Sequence, residues 1–367
     1  MGPSCLIPSE GCKTNKMIEE ELRGFSRWSS RKGFNVETVL DGGLKESAVS
    51  PISVSTQRSR PDRLFRGVSR TAGLTTLVIL FLIGLFLALQ SRLAFQTMGW
   101  AFFTNTGWVT TGAHPKFGVL SALLGTIIIA AIAMLVAVPV AIASALFINE
   151  FAPRKLFGFF PLKNFLVASV DLMAAVPSII FGMWGFFVLQ PAMKGLARWL
   201  SDYLGFIPIF KTGETPVFTS SFLIAGTLVG IMVMPIVTSL SREVFSLTPI
   251  AEREGAMSLG ASRARVIRDV VFPFSKGGML GAIMLGLGRA LGEAIAVTII
   301  ISLVFQPTVQ LTQAGGNSIA ALIAYRFGSG GPLGLSGLLA AGLVLFALTL
   351  VINLVAARIV NRVRMAG

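Results

Sequence analysis

The 367-residue chain is 53% hydrophobic and only 13% charged, whereas soluble domains carry about 25% charged residues. This composition excludes an ordinary soluble protein and predicts a membrane protein. The net charge of +14 could suggest nucleic acid, because clustered Lys and Arg neutralise phosphates. The basic residues instead lie in polar segments between apolar stretches, so no nucleic-acid partner is expected.

Six apolar stretches are long enough to cross a bilayer, because about 20 helical residues span its apolar core. They lie near 72–90, 118–148, 164–190, 217–240, 277–305 and 333–357. None alternates with the period of two of a membrane barrel, so helices are predicted. The second stretch is longer than one span requires, and Pro139 is predicted to bend or end it. The predicted fold class is an all-α polytopic membrane protein with six transmembrane helices.

The distribution of Lys and Arg predicts the orientation of the chain. One set of alternate segments carries 24 basic residues and the other set carries six. Basic residues favour the cytosolic side, and the basic segments are 1–71, 149–163, 241–276 and 358–367. Both termini are therefore predicted to be cytosolic. Four arginines between residues 60 and 70 give the strongest indication.

The same pattern divides the chain into regions. Residues 1–71 are predicted to form a cytosolic N-terminal extension that is largely disordered, because they are polar and rich in Ser, Arg and Glu. Residues 72–362 form a six-helix domain with a cytosolic loop at 241–276, and 363–367 form a cytosolic tail. Both cysteines lie in the extension and the single histidine lies on an outer loop, so no disulfide framework or metal site is predicted.

The first outer loop, 91–116, is dense in aromatic residues. Aromatic rings favour the membrane interface, which provides both an apolar and a wet environment. The loop is therefore predicted to form an interfacial belt, and a ligand cage is the alternative. Its aromatic residues are Phe95, Trp100, Phe102, Phe103 and Trp108.

A spaced motif occupies the cytosolic loop between the fourth and fifth stretches. Glu254, Gly255 and Ala256 are followed after three residues by Gly260, and after nine more by a run that ends in Pro273. The composition of 251–257 favours a helix, which Gly260 would end and turn. Pro273 would mark a stop before the chain re-enters the membrane. A helix-turn-helix on the membrane surface is predicted, with an ordinary amphipathic surface helix as the alternative.

A charged pair lies in the middle of the fifth stretch, within a run of small residues from Gly286 to Gly292. A charge at mid-bilayer costs about 2.5 to 3.5 kcal/mol or more, so Arg289 must face protein, water or a partner. Glu293 follows four residues later, on the same face of a helix. Either the pair satisfies itself and locks helix packing, or Arg289 offers a multi-donor fork to an oxyanion while Glu293 orients it and offsets its attraction. The small residues would let a neighbouring helix approach closely.

Another acid, Asp171, lies within the third stretch, six residues before Pro177 interrupts it. It is predicted to be either a polar tie to a neighbouring helix or a residue of a solute pathway. No Gly-x-x-x-x-Gly-Lys-Ser/Thr sequence occurs in the chain. Active transport by this chain would therefore require energy from another subunit or from an ion gradient.

Taken together, these segments resemble the permease subunits of phosphate-specific ABC importers, and among them the PstC type. The loop motif resembles the Glu-Ala-Ala…Gly…Ile-x-Leu-Pro loop of ABC importer permeases, with Gly255, Val270 and Phe272 as departures. The sharpest likeness is the run from Arg289 to Glu293 followed by Thr298, although Ala294 stands where threonine is commoner. The resemblance covers about 72–362 and includes Phe117-Gly118, 175–185 and 231–237.

The resemblance implies a type I ABC importer permease fold in the bacterial cytoplasmic (inner) membrane. It implies a heterodimer with a sister permease, two copies of a cytosolic ATPase and an extracytoplasmic phosphate-binding protein. ATP and Mg would be bound by the ATPase, and this chain would bind no cofactor or metal and have no catalytic residue. Arg289 and Glu293 would belong to the phosphate path, with Asp171 and Thr298 as possible pathway or structural residues. Residues 254–273 would couple the chain to the ATPase.

The predicted function is therefore the phosphate-translocating permease subunit of an ATP-driven importer. A permease for sulfate or molybdate is an alternative, because arginine selects charge and shape and does not by itself separate tetrahedral oxyanions. A gradient-driven secondary transporter is a second alternative. An intramembrane enzyme that uses Glu293 or Asp171 as acid or base would need a second catalytic group, and none is evident.

Overall fold

The computed structural model describes residues 60–365 apart from 113, 154, 156–160, 214–215, 307 and 329–330. The chain divides into two units, Met1–Thr75 and Thr76–Gly367. The helices in chain order are α1 (Arg60–Gln90), α2 (Arg92–Met98), α3 (Ala101–Thr104), α4 (Leu120–Leu146), α5 (Leu162–Ala175), α6 (Ser178–Trp184), α7 (Gln190–Leu204), α8 (Phe222–Ser246), α9 (Ile250–Ser258), α10 (Arg263–Val266), α11 (Phe272–Gly292), α12 (Ile295–Ile300), α13 (Ile319–Arg326) and α14 (Gly331–Met365). Strands β1 (Trp108–Val109) and β2 (Lys116–Phe117) pair antiparallel, with Trp108 opposite Phe117.

Within the described part of the chain, six helical runs are long and apolar enough to cross a membrane. The predicted all-α class and number of spans are therefore confirmed. The runs are Leu64–Gln90, Leu120–Phe151, Ser178–Leu204, Phe222–Ser246, Arg263–Gly292 and Gly331–Val360. Two of them join α-helical segments through a π-helical turn, at Gly185–Leu189 and Ile267–Val271, and the second run ends in one, at Phe147–Phe151.

The first two spans differ from prediction at their ends. Helix α1 begins at Arg60, so the last residues of the predicted 1–71 extension are helical; residues 1–59 lie outside the described part. Pro61 is compatible with this start, because the first turn of a helix does not use its N–H groups. Pro139 does not end the second span, since α4 continues past it to Leu146.

The predicted third span, 164–190, is wrong in its bounds. Helix α5 ends at Ala175, and Val176 and Pro177 adopt extended backbone angles, ψ 130° and 139°. A residue before proline is pushed out of the helical region, and proline lacks the N–H that a helix needs. The membrane-length run starts only at Ser178 and continues to Leu204, into the segment between the predicted third and fourth stretches.

The fifth span also starts and ends earlier than the predicted 277–305. A continuous helical run covers Arg263–Gly292, so the predicted stop at Pro273 is wrong. It lies in the first turn of α11, directly after the π-helical turn, where its missing N–H does not break a regular α-helical bond. The helix then ends at Gly292 and resumes at Ile295.

The core lies where α4 packs along α8. Buried alanines at positions 130, 133, 137 and 141 follow the three- and four-residue spacing of one helix face. They meet buried valines 229, 233 and 237 on α8. Small side chains on one helix let the other approach closely, which is how membrane helices gain contact without a hydrophobic driving force.

The aromatic segment 91–116 contributes to a second buried cluster, and the predicted interfacial belt is wrong for part of it. Phe102 and Trp108 pack with Phe117 in edge-on ring contacts at 6.1 and 5.7 Å, and all three are buried. Trp100 is 86% exposed and remains compatible with an interface. The short β1–β2 ribbon positions the buried rings against α13 and α14.

Candidate anion pathway and coupling surface

Arg289 lies on an exposed face of α11, in a cavity of about 610 Å³. Helices α8, α11 and α14 line this cavity through Ile236, Gly281, Met284, Leu285, Gly288, Arg289 and Asn353. Among the residues that the structure describes, no hydrogen bond or ion pair is made by the Arg289 guanidinium. Its donors are therefore available to a ligand, to water or to a partner chain.

The small residues around Arg289 divide into two groups. A Cβ at Gly286 would lie 2.6 Å from Val237 Cγ2 and 2.9 Å from Val233 Cγ1, so this glycine permits the close packing of α11 on α8. A Cβ at Gly288 or Gly292 would meet no atom within 4 Å. The predicted close helix approach is confirmed at Gly286, whereas Gly288 leaves space beside Arg289.

Glu293 does not share a helical face with Arg289, which corrects the sequence-based expectation. Helix α11 ends at Gly292, and Glu293 has extended backbone angles, φ −71° and ψ 114°. Its side chain is 9% exposed and accepts a hydrogen bond from the Ala296 N–H at 3.2 Å. The carboxylate thus satisfies a free N–H in the first turn of α12 and holds the break between the two helices.

Thr298 lies on α12 and is half-buried. Its hydroxyl donates to the Ala294 carbonyl at 2.6 Å, a local bond to the backbone four residues earlier. The same carbonyl accepts the Thr298 N–H at 2.9 Å. In this structure the hydroxyl proton is therefore used within its own helix.

Asp171 lies on α5, which is separate from the membrane-length third run. It is exposed and accepts a hydrogen bond from the Ser239 hydroxyl on α8 at 2.9 Å. Helices α5 and α8 are in contact along this side. The geometry is that of a polar tie between helices, and the cavity of Arg289 does not include Asp171.

The loop motif folds as a short helix with a sharp turn. Helix α9 covers Ile250–Ser258 and contains Glu254, Gly255 and Ala256. Gly260 follows with φ +82°, a left-handed conformation that glycine adopts without the steric penalty of a side chain. The predicted end and turn at Gly260 are confirmed, and the loop lies between the fourth and fifth runs as predicted.

Helix α9 presents apolar side chains outward and buries none of its residues. Leu259 is 91% exposed, and Leu247, Ile250 and Met257 are also exposed. Glu254 and Gly255 are exposed beside them. Exposed apolar side chains beside polar ones are typical of a protein interaction surface.

Two features of the site were missed in the sequence. Asn353 was hidden inside a long apolar run, although a lone carboxamide in a span is itself a signal for a polar contact. Arg253 pairs with Glu150 at 2.6 Å, across 103 positions of sequence. No local spacing rule predicts a contact of that range.

A family model described as "binding-protein-dependent transport system inner membrane component" matches residues 137–365, which is more than half of the chain. The matched part contains α9 and its turn at Gly260, the Arg289 cavity and the break at Glu293. This defines the class as the multi-pass inner-membrane components of binding-protein-dependent importers.

Curated relatives are similar over most of their length. The phosphate transport system permease protein PstC 2 of Mycobacterium tuberculosis is 38% identical over 297 residues, 80% of this chain and 90% of that protein. PstC of Mycobacterium leprae is 39% identical over 305 residues, covering 81% and 92%, and PstC of Mesorhizobium japonicum is 35% identical over 305 residues, covering 82% and 90%. Within its class, the chain therefore belongs to the PstC family of phosphate transport system permeases.

Solved structures support the fold alone. A chain from a bacterial ABC transporter involved in import of the acidic polysaccharide alginate has a TM-score of 0.51 and 20% identity, covering 82% of this chain and 99% of that one. A second alginate transporter structure has a TM-score of 0.52 and 18% identity, with 82% and 98% coverage. The predicted importer permease fold is confirmed.

Proposed function

We propose that the chain is the membrane-spanning permease subunit of an ATP-driven importer that translocates inorganic phosphate across the cytoplasmic membrane. The observation that carries this proposal is the Arg289 guanidinium, exposed in a cavity among three spans. An arginine within a span must meet water, protein or ligand, because lipid cannot solvate it. Its planar fork matches the oxygens of a tetrahedral oxyanion, and phosphate is the substrate named for the relatives.

A transport site must also release its ion, so the attraction of one arginine has to be limited. Arg289 lies in the last turn of α11, where free carbonyl groups carry partial negative charge. The Glu293 carboxylate follows directly after that turn. In this proposal Glu293 belongs to the path by fixing the end of the helix and lowering the local positive potential, rather than by pairing with Arg289.

The partners follow from the exposed surfaces. The Arg289 face of α11 would be completed by a sister permease, because a charged face cannot remain against lipid. The apolar surface of α9, with Glu254, Gly255, Ala256, Gly260 and Pro273 in its loop, would dock one subunit of a cytosolic ATPase dimer. An extracytoplasmic phosphate-binding protein would deliver the ion, and membrane lipid would cover the other apolar faces. ATP and Mg would bind to the ATPase and not to this chain.

The orientation of the chain is part of the proposal. Docking of a cytosolic ATPase at α9 requires the loop between the fourth and fifth spans to face the cytosol. Six spans then leave both termini on that same side, in agreement with the excess of Lys and Arg in segments 1–71 and 358–367.

The proposal is tested by phosphate uptake into vesicles that contain this chain, its sister permease, the ATPase and the binding protein. Uptake of phosphate that requires ATP and persists when ion gradients are collapsed supports an ATP-driven phosphate importer. Uptake of sulfate but not phosphate would overturn the substrate assignment. Uptake without the ATPase that stops when the gradient is collapsed would identify a secondary transporter instead.

A further inference from the structure

Arg253 is the charged residue of α9 that turns inward. Along Ile250–Ser258 only Arg253 and Ala256 are half-buried, and the other residues are exposed. Their three-residue spacing places them on one face of the helix. The helix therefore has an outer surface free for a partner and an inner surface built around one arginine.

The guanidinium of Arg253 contacts two different spans at once. Nη1 lies 2.6 Å from Glu150 Oε1, and Nη2 donates to the Phe245 carbonyl oxygen at 2.6 Å. Asn149 Nδ2 donates to the same Glu150 oxygen at 2.8 Å. The Arg253 and Glu150 side chains are only 18% and 17% exposed, so water weakens this pair less than a surface pair.

Each partner of Arg253 marks the end of a span. Glu150 lies in the π-helical turn Phe147–Phe151 that completes the second span. Phe245 lies in the last turn of α8, the fourth span. The fork geometry of arginine allows one side chain to bind both ends, which a lysine ammonium on one flexible stem does less well. Arg253, Glu150 and the Phe245 carbonyl form a junction between α9 and two spans.

The fifth span contacts this junction through apolar side chains. The Phe245 ring is buried and meets the Phe272 ring at 6.0 Å, in a cluster with Ala145 and Val271. Phe272 begins α11, and Arg289 lies 17 residues further along that helix, or about 25 Å at the helical rise. A displacement of α9 thus reaches the ends of the second, fourth and fifth spans through direct contacts.

We propose that Arg253 and Glu150 are positioning residues that transmit the movement of α9 to the membrane spans, so that ATP hydrolysis is coupled to transport. The inference rests on the proposed function, because it needs an ATPase docked on the outer face of α9. The outer face binds the motor, and the Arg253 junction carries its displacement inward. If the junction is lost, the ATPase stays bound to α9, but ATP hydrolysis no longer opens the transport pathway.

The test measures phosphate taken up per ATP hydrolysed in vesicles with the complete complex. With Arg253→Ala we expect ATPase to remain bound and this ratio to fall by about tenfold, the order expected for losing a charge-assisted hydrogen bond. Arg253→Lys keeps the charge and should recover part of the ratio. Glu150→Gln keeps an acceptor but removes the charge, and should lower the ratio less than Arg253→Ala.

Matched controls are available on α8, outside the proposed docking surface. Glu243 is exposed there, so Glu243→Gln should leave the ratio unchanged. Arg242, one turn before Phe245 on α8, makes no hydrogen bond or ion pair with the described residues, so Arg242→Ala should also be neutral.

The ratio is counted per assembled complex, so a variant that merely folds poorly lowers the amount of complex without lowering the ratio. An unchanged ratio in Arg253→Ala and Glu150→Gln, in vesicles where the wild type shows ATP-dependent uptake, overturns the role of the junction. Absence of ATP-dependent uptake in the wild type overturns the proposed function itself.

Discussion

The two arginines that matter most in this chain differ in how their charge is satisfied. Arg253, on α9 beside the ends of the second and fourth spans, has a carboxylate and a carbonyl oxygen at 2.6 Å. Arg289, within a span, makes no hydrogen bond or ion pair with any described residue and lines a cavity. A satisfied arginine fixes the position of a helix. An arginine within a span that has no hydrogen-bond or ion-pair partner indicates that a ligand, water or a partner chain binds at that point.

The strongest way to break this comparison is Arg289→Ala. We expect uptake to fall by at least about 100-fold, because two charge-assisted hydrogen bonds to the anion would be lost. Arg289→Lys is the matched control, which keeps the charge without the fork and should retain partial activity. Uptake into vesicles and co-purification with the other subunits measure the two effects. Failure of Arg289→Ala to assemble would show that the residue packs helices instead.

A charge reversal at the docking surface should have the next largest effect. Glu254 is exposed on α9, and Glu254→Lys places the opposite charge where the ATPase is proposed to bind. We expect the affinity for the ATPase to fall by about tenfold, since an unfavourable charge at an interface costs at least about 1.4 kcal/mol. Pull-down of the ATPase measures it, with Glu243→Gln on α8 as a control. Unchanged association would remove Glu254 from the interface.

Glu293→Ala tests whether the break after α11 serves the pathway. The substitution removes the acceptor of the Ala296 N–H, and the loss of a capping bond typically costs about 1 kcal/mol. We expect uptake to fall by about fivefold, which is the same free energy expressed as a ratio. Glu293→Gln, which keeps a side-chain oxygen, should lie between the wild type and Glu293→Ala. Equal and complete loss in both variants would instead assign the charge itself a direct role.

The smallest effect is expected at Asp171. Asp171→Asn keeps an oxygen that accepts the Ser239 hydroxyl, so uptake should remain within about twofold of the wild type, as for a hydrogen bond that is preserved. Asp171→Ala should reduce the thermal stability of the purified complex slightly without changing its substrate. A severe transport defect in Asp171→Asn would place this carboxylate in the pathway.

The number of spans follows from the sequence because the length and apolar content of a stretch are local properties. The helix breaks were harder. The run 277–305 is apolar on both sides of Glu293, so composition does not show that the helix ends at Gly292. The predicted third span, 164–190, combined the end of α5 with the start of the run after Pro177 for a related reason. Apolar content alone does not decide which side of a proline crosses the membrane.

Single residues of the candidate site could be predicted from the sequence, whereas the contacts between them could not. Arg289 stands out in the sequence because an intramembrane charge is unfavourable. Its relation to Glu293 was inferred from ideal helical spacing, which fails where the helix ends. Asn353 reaches the Arg289 cavity only because α14 packs on α11. Glu150 reaches Arg253 only because α9 lies against the end of the second span.

The most direct test of the central claim asks whether phosphate occupies the Arg289 cavity. A Cβ at Gly288 meets no atom within 4 Å, and the only cysteines of the chain are Cys5 and Cys12. In a complex with both cysteines replaced by serine, the measurement is the rate at which an anionic thiol reagent modifies Gly288→Cys. We expect phosphate to slow this reaction at constant ionic strength and Arg289→Ala to abolish the protection. Equal rates with and without phosphate would contradict it.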